Sequence, residues 1–269
     1  MQSFKLLAIG AVASVAATTL PAFASSTAWY DGEGGRIRLV TTGKPDAAGA
    51  IKGVLQIALK PGWKTYWRDP GDSGVPPQFD ISASTNVSRA QLSFPAPRRH
   101  NDGYGLWSGY DHSVSLPVVF TLPSPSAATT IEAHVFLGMC ETICIPVQTT
   151  LKLDPASDPD NADDAALVKA GFAALPGAPK ANFKVKVLPG DHETLEVQAV
   201  APGDPKAVEL FVAGADDYMF GAPKRSESDG KIVFNVPILD RPTTTPIGGG
   251  LHYTLTSSAG AVQGLLPYP

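Results

Sequence analysis

The chain has 269 residues, with 21 basic and 25 acidic side chains, a formal charge of −4, 26 glycines, 25 prolines and two cysteines. A mildly acidic chain without a basic stripe is no candidate for nucleic-acid binding, and two cysteines cannot frame a disulfide-rich scaffold of this length. So much glycine and proline breaks helices and suits many short strands joined by turns, held by the core of one large domain or two smaller ones.

Residues 1–24 read as an export signal: Lys5 is the single charge, an apolar run extends from Leu6 to about Ala17, and Ala22-Phe23-Ala24 is a small-x-small cleavage site. The apolar run is too short for a comfortable membrane span, and no later stretch approaches about 18 apolar residues. The expected mature chain starts after Ala24, is not inserted in a membrane, carries a charge near −5 once Lys5 is gone, and meets an oxidising compartment.

Period-two alternation marks strands over 36–41 and 51–59, where Ile51, Gly53, Leu55, Ile57 and Leu59 share one face. Lys60-Pro61-Gly62 turns the chain into the aromatic stretch Trp63 to Trp67, and a turn-rich segment follows over 69–77. Further strands are expected over 87–94, 115–122, 131–137 and 145–153. About seven strands at this spacing fit an immunoglobulin-like antiparallel β-sandwich over 25–155. Residues 156–180 read as a linker containing one helix over 162–174, capped by Asp160 or Asn161, acidic in its first turn and stopped by Leu175-Pro-Gly. Strand patterns resume over 183–188, 195–200, 208–213, 231–236 and 251–256, giving a second, smaller β domain over 181–269 in a supporting or docking role. The fold class is therefore all-β, with a short linker helix between the two β parts.

The two cysteines, Cys140 and Cys144, stand in Phe136-Leu-Gly-Met-Cys-Glu-Thr-Ile-Cys-Ile-Pro146. With strands 131–137 and 144–153 adjacent and antiparallel, they face each other across a tight turn, within the Cα–Cα range of a disulfide. Three readings are open to such a pair. As a staple it closes a loop of about five residues, worth roughly 2 kcal/mol, against about 3 for a loop of fifteen; it would fix little that the turn does not. As a redox couple it would exchange disulfides with another protein. As soft donors the thiols, with Met139 and any of His100, His112 and His134, would suit Cu(I), although no His-rich or Met-rich motif is present. No Lys or Arg lies between Phe136 and Leu151 and no helix starts at the pair. A thiolate therefore has no evident stabiliser in the sequence, and a reductant or carrier is expected rather than a strong oxidant. No phosphate loop, zinc pattern or nucleophile elbow appears, so no cofactor, metal centre or hydrolase activity is expected.

The stretch Leu59-Lys-Pro-Gly-Trp-Lys-Thr-Tyr-Trp-Arg-Asp-Pro-Gly-Asp-Ser-Gly74, then Tyr104-Gly105 through Tyr110, Leu116-Pro-Val118 and Cys140-Glu-Thr-Ile-Cys-Ile-Pro146 resemble the N-terminal periplasmic domain of the thiol:disulfide interchange protein DsbD, and more closely the suppressor-of-copper-sensitivity B proteins. The resemblance covers roughly 30–155. It implies an immunoglobulin-like sandwich with one redox pair that takes electrons from a membrane protein and passes them to periplasmic thioredoxin-like proteins, so that the enzymatic class would be a protein-disulfide reductase component. The family's membrane segment and C-terminal thioredoxin-like domain have no counterpart in these residues, so the electron donor is expected to be a separate membrane protein. The DsbD domain itself has more residues between its cysteines. By resemblance Cys144 links to partners and Cys140 resolves, Tyr66 matches a tyrosine beside the family's cysteines, and the shielding cap loop falls at Asn101-Asp102-Gly103. There Asp102 holds an acidic position, a proton donor or acceptor or simply a turn residue, and Gly103 stands where the family has an aromatic. Tyr104, Trp107 and Tyr110 are candidates to line the site or a partner-facing surface; residues such as Trp63, Trp67 and Tyr66 are more often core aromatics than site residues. A copper-binding or copper-tolerance role and a plain interaction module with a structural disulfide are the alternatives.

Overall fold

The computed structural model describes residues 25–71, 74–101, 103, 105–214, 218–228, 230–244, 246 and 248–269. The export signal, Asp102 and Tyr104 lie outside the described residues. Two β regions are joined by a helical segment.

The first region contains β1 (Tyr30–Asp31), β2 (Gly35–Thr41), β3 (Ala50–Leu59), β4 (Lys64–Tyr66), β5 (Gln78–Asp80), β6 (Arg89–Leu92), β7 (Arg98–Asn101), β8 (Leu106–Tyr110), β9 (Val114–Thr121), β10 (Ile131–Cys140) and β11 (Cys144–Leu153). One antiparallel sheet runs β1-β2-β3-β9-β6; the other runs β11-β10-β4-β8-β7, with β5 also on β10. Alternate residues of each sheet face inward. Ile37, Leu39, Leu55, Ile57, Leu116, Val118 and Phe120 from the first meet Ile131, Ala133, Val135, Leu137 and Met139 from the second, all almost fully buried. The strands expected over 36–41, 51–59, 115–122 and 131–137 are present within about two residues, apart from β10, which runs on to Cys140. The strand expected over 87–94 is shorter, because Pro95 and Pro97 follow it.

Helix α1 (Ala162–Ala173) begins on Asn161, whose side chain accepts a hydrogen bond from the Asp164 amide. It does more than connect. Val168 packs on Val40 and Val54, the outward-facing residues of β2 and β3. Gly171 sits so close that a Cβ there would lie 2.5 Å from Val54 Cγ1. Buried Asp164 accepts a 2.6 Å hydrogen bond from the Ser25 hydroxyl, which ties the first described residue to the helix. The helix expected in the linker is therefore also packed against the first sheet. Its buried face is made of valine and glycine beside an aspartate.

The second region comprises β12 (Lys184–Val187), β13 (Thr194–Val200), β14 (Glu209–Ala213), β15 (Met219–Phe220), β16 (Lys224–Ser228), β17 (Lys231–Asp240), β18 (Leu251–Ser257) and β19 (Gly260–Leu266). Sheets β12-β13-β17-β15, with β16 on β17, and β14-β18-β19 enclose Leu195, Val197, Phe234, Val236, Leu210, Tyr253 and Leu255. The two regions touch at β14. Phe211 meets the Trp67 ring edge-to-face at 5.9 Å, and the Arg99 guanidinium lies 4.9 Å from the Phe211 centroid while donating to the Leu210 carbonyl at 3.0 Å. Among the described residues, no helix is long and apolar enough to cross a membrane.

Candidate functional site

The register of the second sheet builds the site. Cys140 ends β10 and pairs with Cys144 of β11 on one side and Lys64 of β4 on the other. Paired residues project to the same face of a sheet, and so do residues two apart. Tyr66 and its partner Gly109 therefore share the cysteine face, as do Trp107 and its partner His100. Met139, Thr65 and Tyr110 point the other way, into the sandwich.

Cys140 and Cys144 form a disulfide with Cα atoms 4.0 Å apart. Cys140 is fully buried, whereas Cys144 is exposed at the hairpin tip beside Ile143, itself 69% exposed. Tyr66 is 2% exposed, and its hydroxyl stands 3.1 Å from Cys140 Sγ and 3.3 Å from Cys144 Sγ. Sulfurs in a disulfide carry no hydrogen, so the tyrosine O–H is the donor. Two glycines seat this ring. A Cβ at Gly109 would lie 2.3 Å from the Thr65 carbonyl oxygen, and one at Gly138 would press on Tyr66 Cε2 at 3.3 Å. The ring edge meets Trp107 at 5.9 Å, and Trp107 in turn stacks on His100 at 4.0 Å and carries the Lys64 ammonium 4.5 Å from its centroid. Burial, then the charges of Arg98 and Lys64, hold His100 below the ordinary histidine range against the pull of Asp111, so its ring is neutral at neutral pH.

An open cleft of about 470 Å³ leads to the sulfurs, lined by Trp63, Lys64, Tyr66, Trp107, Asp111 and Glu141 among others. A disulfide between one exposed cysteine and one buried one, with a hydroxyl donor aimed at both sulfurs and an open approach, can accept a thiolate from another protein. When reduced, it can present a thiolate beside an O–H donor. The sequence showed no stabiliser for that thiolate; the Tyr66 hydroxyl supplies one from β4, a strand far from the cysteines in sequence.

The structure thus brings together Cys140, Cys144 and Tyr66. Trp107 and Trp63 line the cleft. Trp67 does not, since it lies at the junction of the two regions. Tyr110 is buried in the core, its hydroxyl donating to the Pro95 carbonyl at 2.8 Å, and desolvation raises its pKa. The soft-metal set is not assembled. Met139 is in the sandwich core, His134 bonds Thr150 on an exposed strand, and His112 bonds Asp111. Among the described residues, no group of three or more His, Cys, Asp or Glu gathers to hold a metal. Lys64 was missed in the sequence, whereas Glu141 was noted there only as the acid directly after Cys140. Lys64 was legible only as the residue two before Tyr66, and the face it occupies follows once β4 is paired with β10.

Residues 41–156 match the family model described as thiol:disulfide interchange protein DsbD, N-terminal. That segment is similar to the DsbD N-terminal domain family. The matched DsbD-type segment contains both cysteines, Tyr66 and Trp107, and it ends before α1. A solved structure, the N-terminal periplasmic domain of ScsB from Proteus mirabilis, is 22% identical, with a TM-score of 0.71 over 91% of this chain and 99% of that one. At that coverage the shared fold includes the second β region as well as the DsbD-type sandwich. No curated protein matches the chain in sequence.

Proposed function

We propose that this chain is an exported thiol-disulfide exchange protein, cleaved near Ala24, that relays reducing equivalents in the periplasm from a membrane electron donor to thioredoxin-like partners. The observation that carries this reading is the Cys140–Cys144 pair at the head of an open cleft, one cysteine exposed and both sulfurs within reach of the Tyr66 hydroxyl. The match of residues 41–156 to the DsbD N-terminal family model, whose name is that of a disulfide-interchange protein, supports the class of partner. The periplasmic setting of the similar ScsB domain supports the compartment. In this reading residues 25–155 are the redox domain, 156–180 the linker and 181–269 a supporting or docking domain.

In the reduced protein the Cys144 thiolate attacks one sulfur of the partner's disulfide. A mixed disulfide forms and the partner's other sulfur leaves as a thiolate. Cys140, deprotonated in turn, attacks Cys144 Sγ, closes the intramolecular bond and releases the partner's second thiolate. Two electrons pass to the partner, and the two protons lost by the cysteines end on its thiols. A dithiol donor at the membrane reverses these steps to recharge the pair. Tyr66 donates to whichever sulfur carries charge; Asp102 and Tyr104 remain further candidates at the cap.

Equilibration in graded thiol buffers tests this. The expected result is a reversible two-electron couple, responding by about 30 mV per tenfold change, with a potential well below the roughly −120 mV of a strong periplasmic oxidant. A disulfide that opens only when the protein unfolds, or a potential as high as that of the oxidant, contradicts the proposal.

A further inference from the structure

The most conspicuous uncompensated charge among the described residues lies away from the cysteines, at the junction of the two β regions. Arg68 follows β4. Its Nε is buried with no hydrogen-bond partner, and no carboxylate among the described residues offsets the guanidinium. The contacts it does make are with ring faces, 4.7 Å from the Phe94 centroid and 5.8 Å from that of Trp67. Arg68 as a whole is half-buried, and a partly buried charge with no counter-ion still costs free energy; proteins ordinarily pair it.

Arg68 and His252 together line a cleft of about 350 Å³ whose other polar side chains are Arg89, Gln91, Ser93 and Gln263. Arg89 and Gln91 stand two apart on β6, and Ser93 continues the same alternation, so all three face one way. Opposite them, His252 pairs with Leu265 and Gln263 with Thr254, which puts His252 and Gln263 on one face of the β18–β19 pair. Every one of these six side chains can donate a hydrogen bond and none is acidic. In a chain whose overall charge is negative, a cleft lined by donors and holding two arginines stands out. Burial, and then the charge of Arg68, push His252 down to about 4, so its ring is neutral at neutral pH and keeps one N–H to give.

We propose that this cleft binds a small oxyanion of the phosphate or carboxylate type, held by Arg68 and Arg89 from the first β region and by His252 and Gln263 from the second. The planar fork of arginine matches both anions. A ligand held from both sides also clamps the two regions together.

Isothermal titration of the full mature chain in chloride buffer, with inorganic phosphate and with succinate in separate runs, tests the proposal. Saturable binding of at least one is expected, weakened about tenfold or more in Arg89→Gln, the equivalent of one charge-assisted hydrogen bond. The thermal midpoint should rise with the ligand, and that rise should be lost in the same variant. Arg89 is exposed on an edge strand, so Arg89→Gln folds; His252→Gln provides a second variant, expected to weaken binding as well, should Arg68→Gln fail to fold. Saturation by phosphate alone assigns a tetrahedral anion, and by succinate alone a carboxylate. The absence of saturation by either, or affinity unchanged in both Arg89→Gln and His252→Gln, overturns the site. Replacing both cysteines by serine should leave this binding intact, which separates the outcome from that of the redox proposal.

Discussion

Replacing Tyr66 by phenylalanine removes one oxygen and leaves the ring where Gly109, Gly138 and Trp107 hold it. What is lost is the O–H aimed at Cys140 and Cys144 from 3.1 and 3.3 Å. A hydrogen bond to a charged group contributes about 1.5–3 kcal/mol. At the lower figure the thiolate population at neutral pH falls about tenfold, and at the upper figure about 150-fold. The less stabilised thiolate is the better nucleophile, with a Brønsted slope of about 0.4–0.5, and this returns roughly half of the loss on a logarithmic scale. The net expectation is an attack by Cys144 about three- to fifteen-fold slower. The assay is the rate of carboxamidomethylation at neutral pH in a Cys140→Ala background, where Cys144 is the sole thiol and no second sulfur competes for the hydroxyl. Equal rates with and without the Tyr66→Phe change, in proteins of matching circular dichroism, would refute the role given to the hydroxyl.

Gly109→Ala would drive a methyl into the Thr65 carbonyl across the β4–β8 pairing; a loss of about 1–3 kcal/mol in denaturant titration is expected, with slower Cys144 alkylation because Tyr66 moves with its strand. Asp164→Ala strips the buried Ser25 hydroxyl of its acceptor. It should cost about 1–3 kcal/mol in urea unfolding, and hydrogen exchange should show α1 loosening from β2 and β3. The pH dependence of stability carries a histidine signature. His252 titrates at about 4 when folded and near the ordinary value when unfolded, so between about 4 and 6.5 the unfolded chain binds the extra proton and stability falls as pH falls. The contribution is complete above about 6.5 and is lost on the way down to about 4. Discounted for partial exposure it is about 1–2 kcal/mol, and the difference should vanish in His252→Gln; a slope unchanged in that variant would contradict the assignment.

Where one face of a strand is buried and the other is wet, alternation gave the strand away, as in β2, β3, β9 and β10. β8 was not read as a strand because its last four residues, Trp107 to Tyr110, are buried on both faces, under the core on one side and the Tyr66 cluster on the other, and Ser108 and Gly109 have low strand propensity. β7 hid for a related reason, since Arg98 and Arg99 look like surface residues although Arg99 is spent at the junction with β14. β19 begins with Gly260 and carries Gly264, which reads as turn until β18 pairs with it. The cysteine pair was legible from spacing and strand pattern, and Tyr66 from the resemblance. The place of Lys64 was not, because no local rule tells that it will pair with Cys140 across the sheet.

The central claim is that the sulfurs of residues 140 and 144 exchange disulfides with another protein. Its most direct test is to express Cys140→Ser in the cell envelope of its source, quench with acid and alkylating agent, and look for covalent adducts on a non-reducing gel. The expected result is a mixed disulfide through Cys144 with a thioredoxin-like protein, released by reductant and absent when Cys144 is also serine. If no adduct forms, and the double serine variant supports the same envelope redox state as the native protein, the account is wrong.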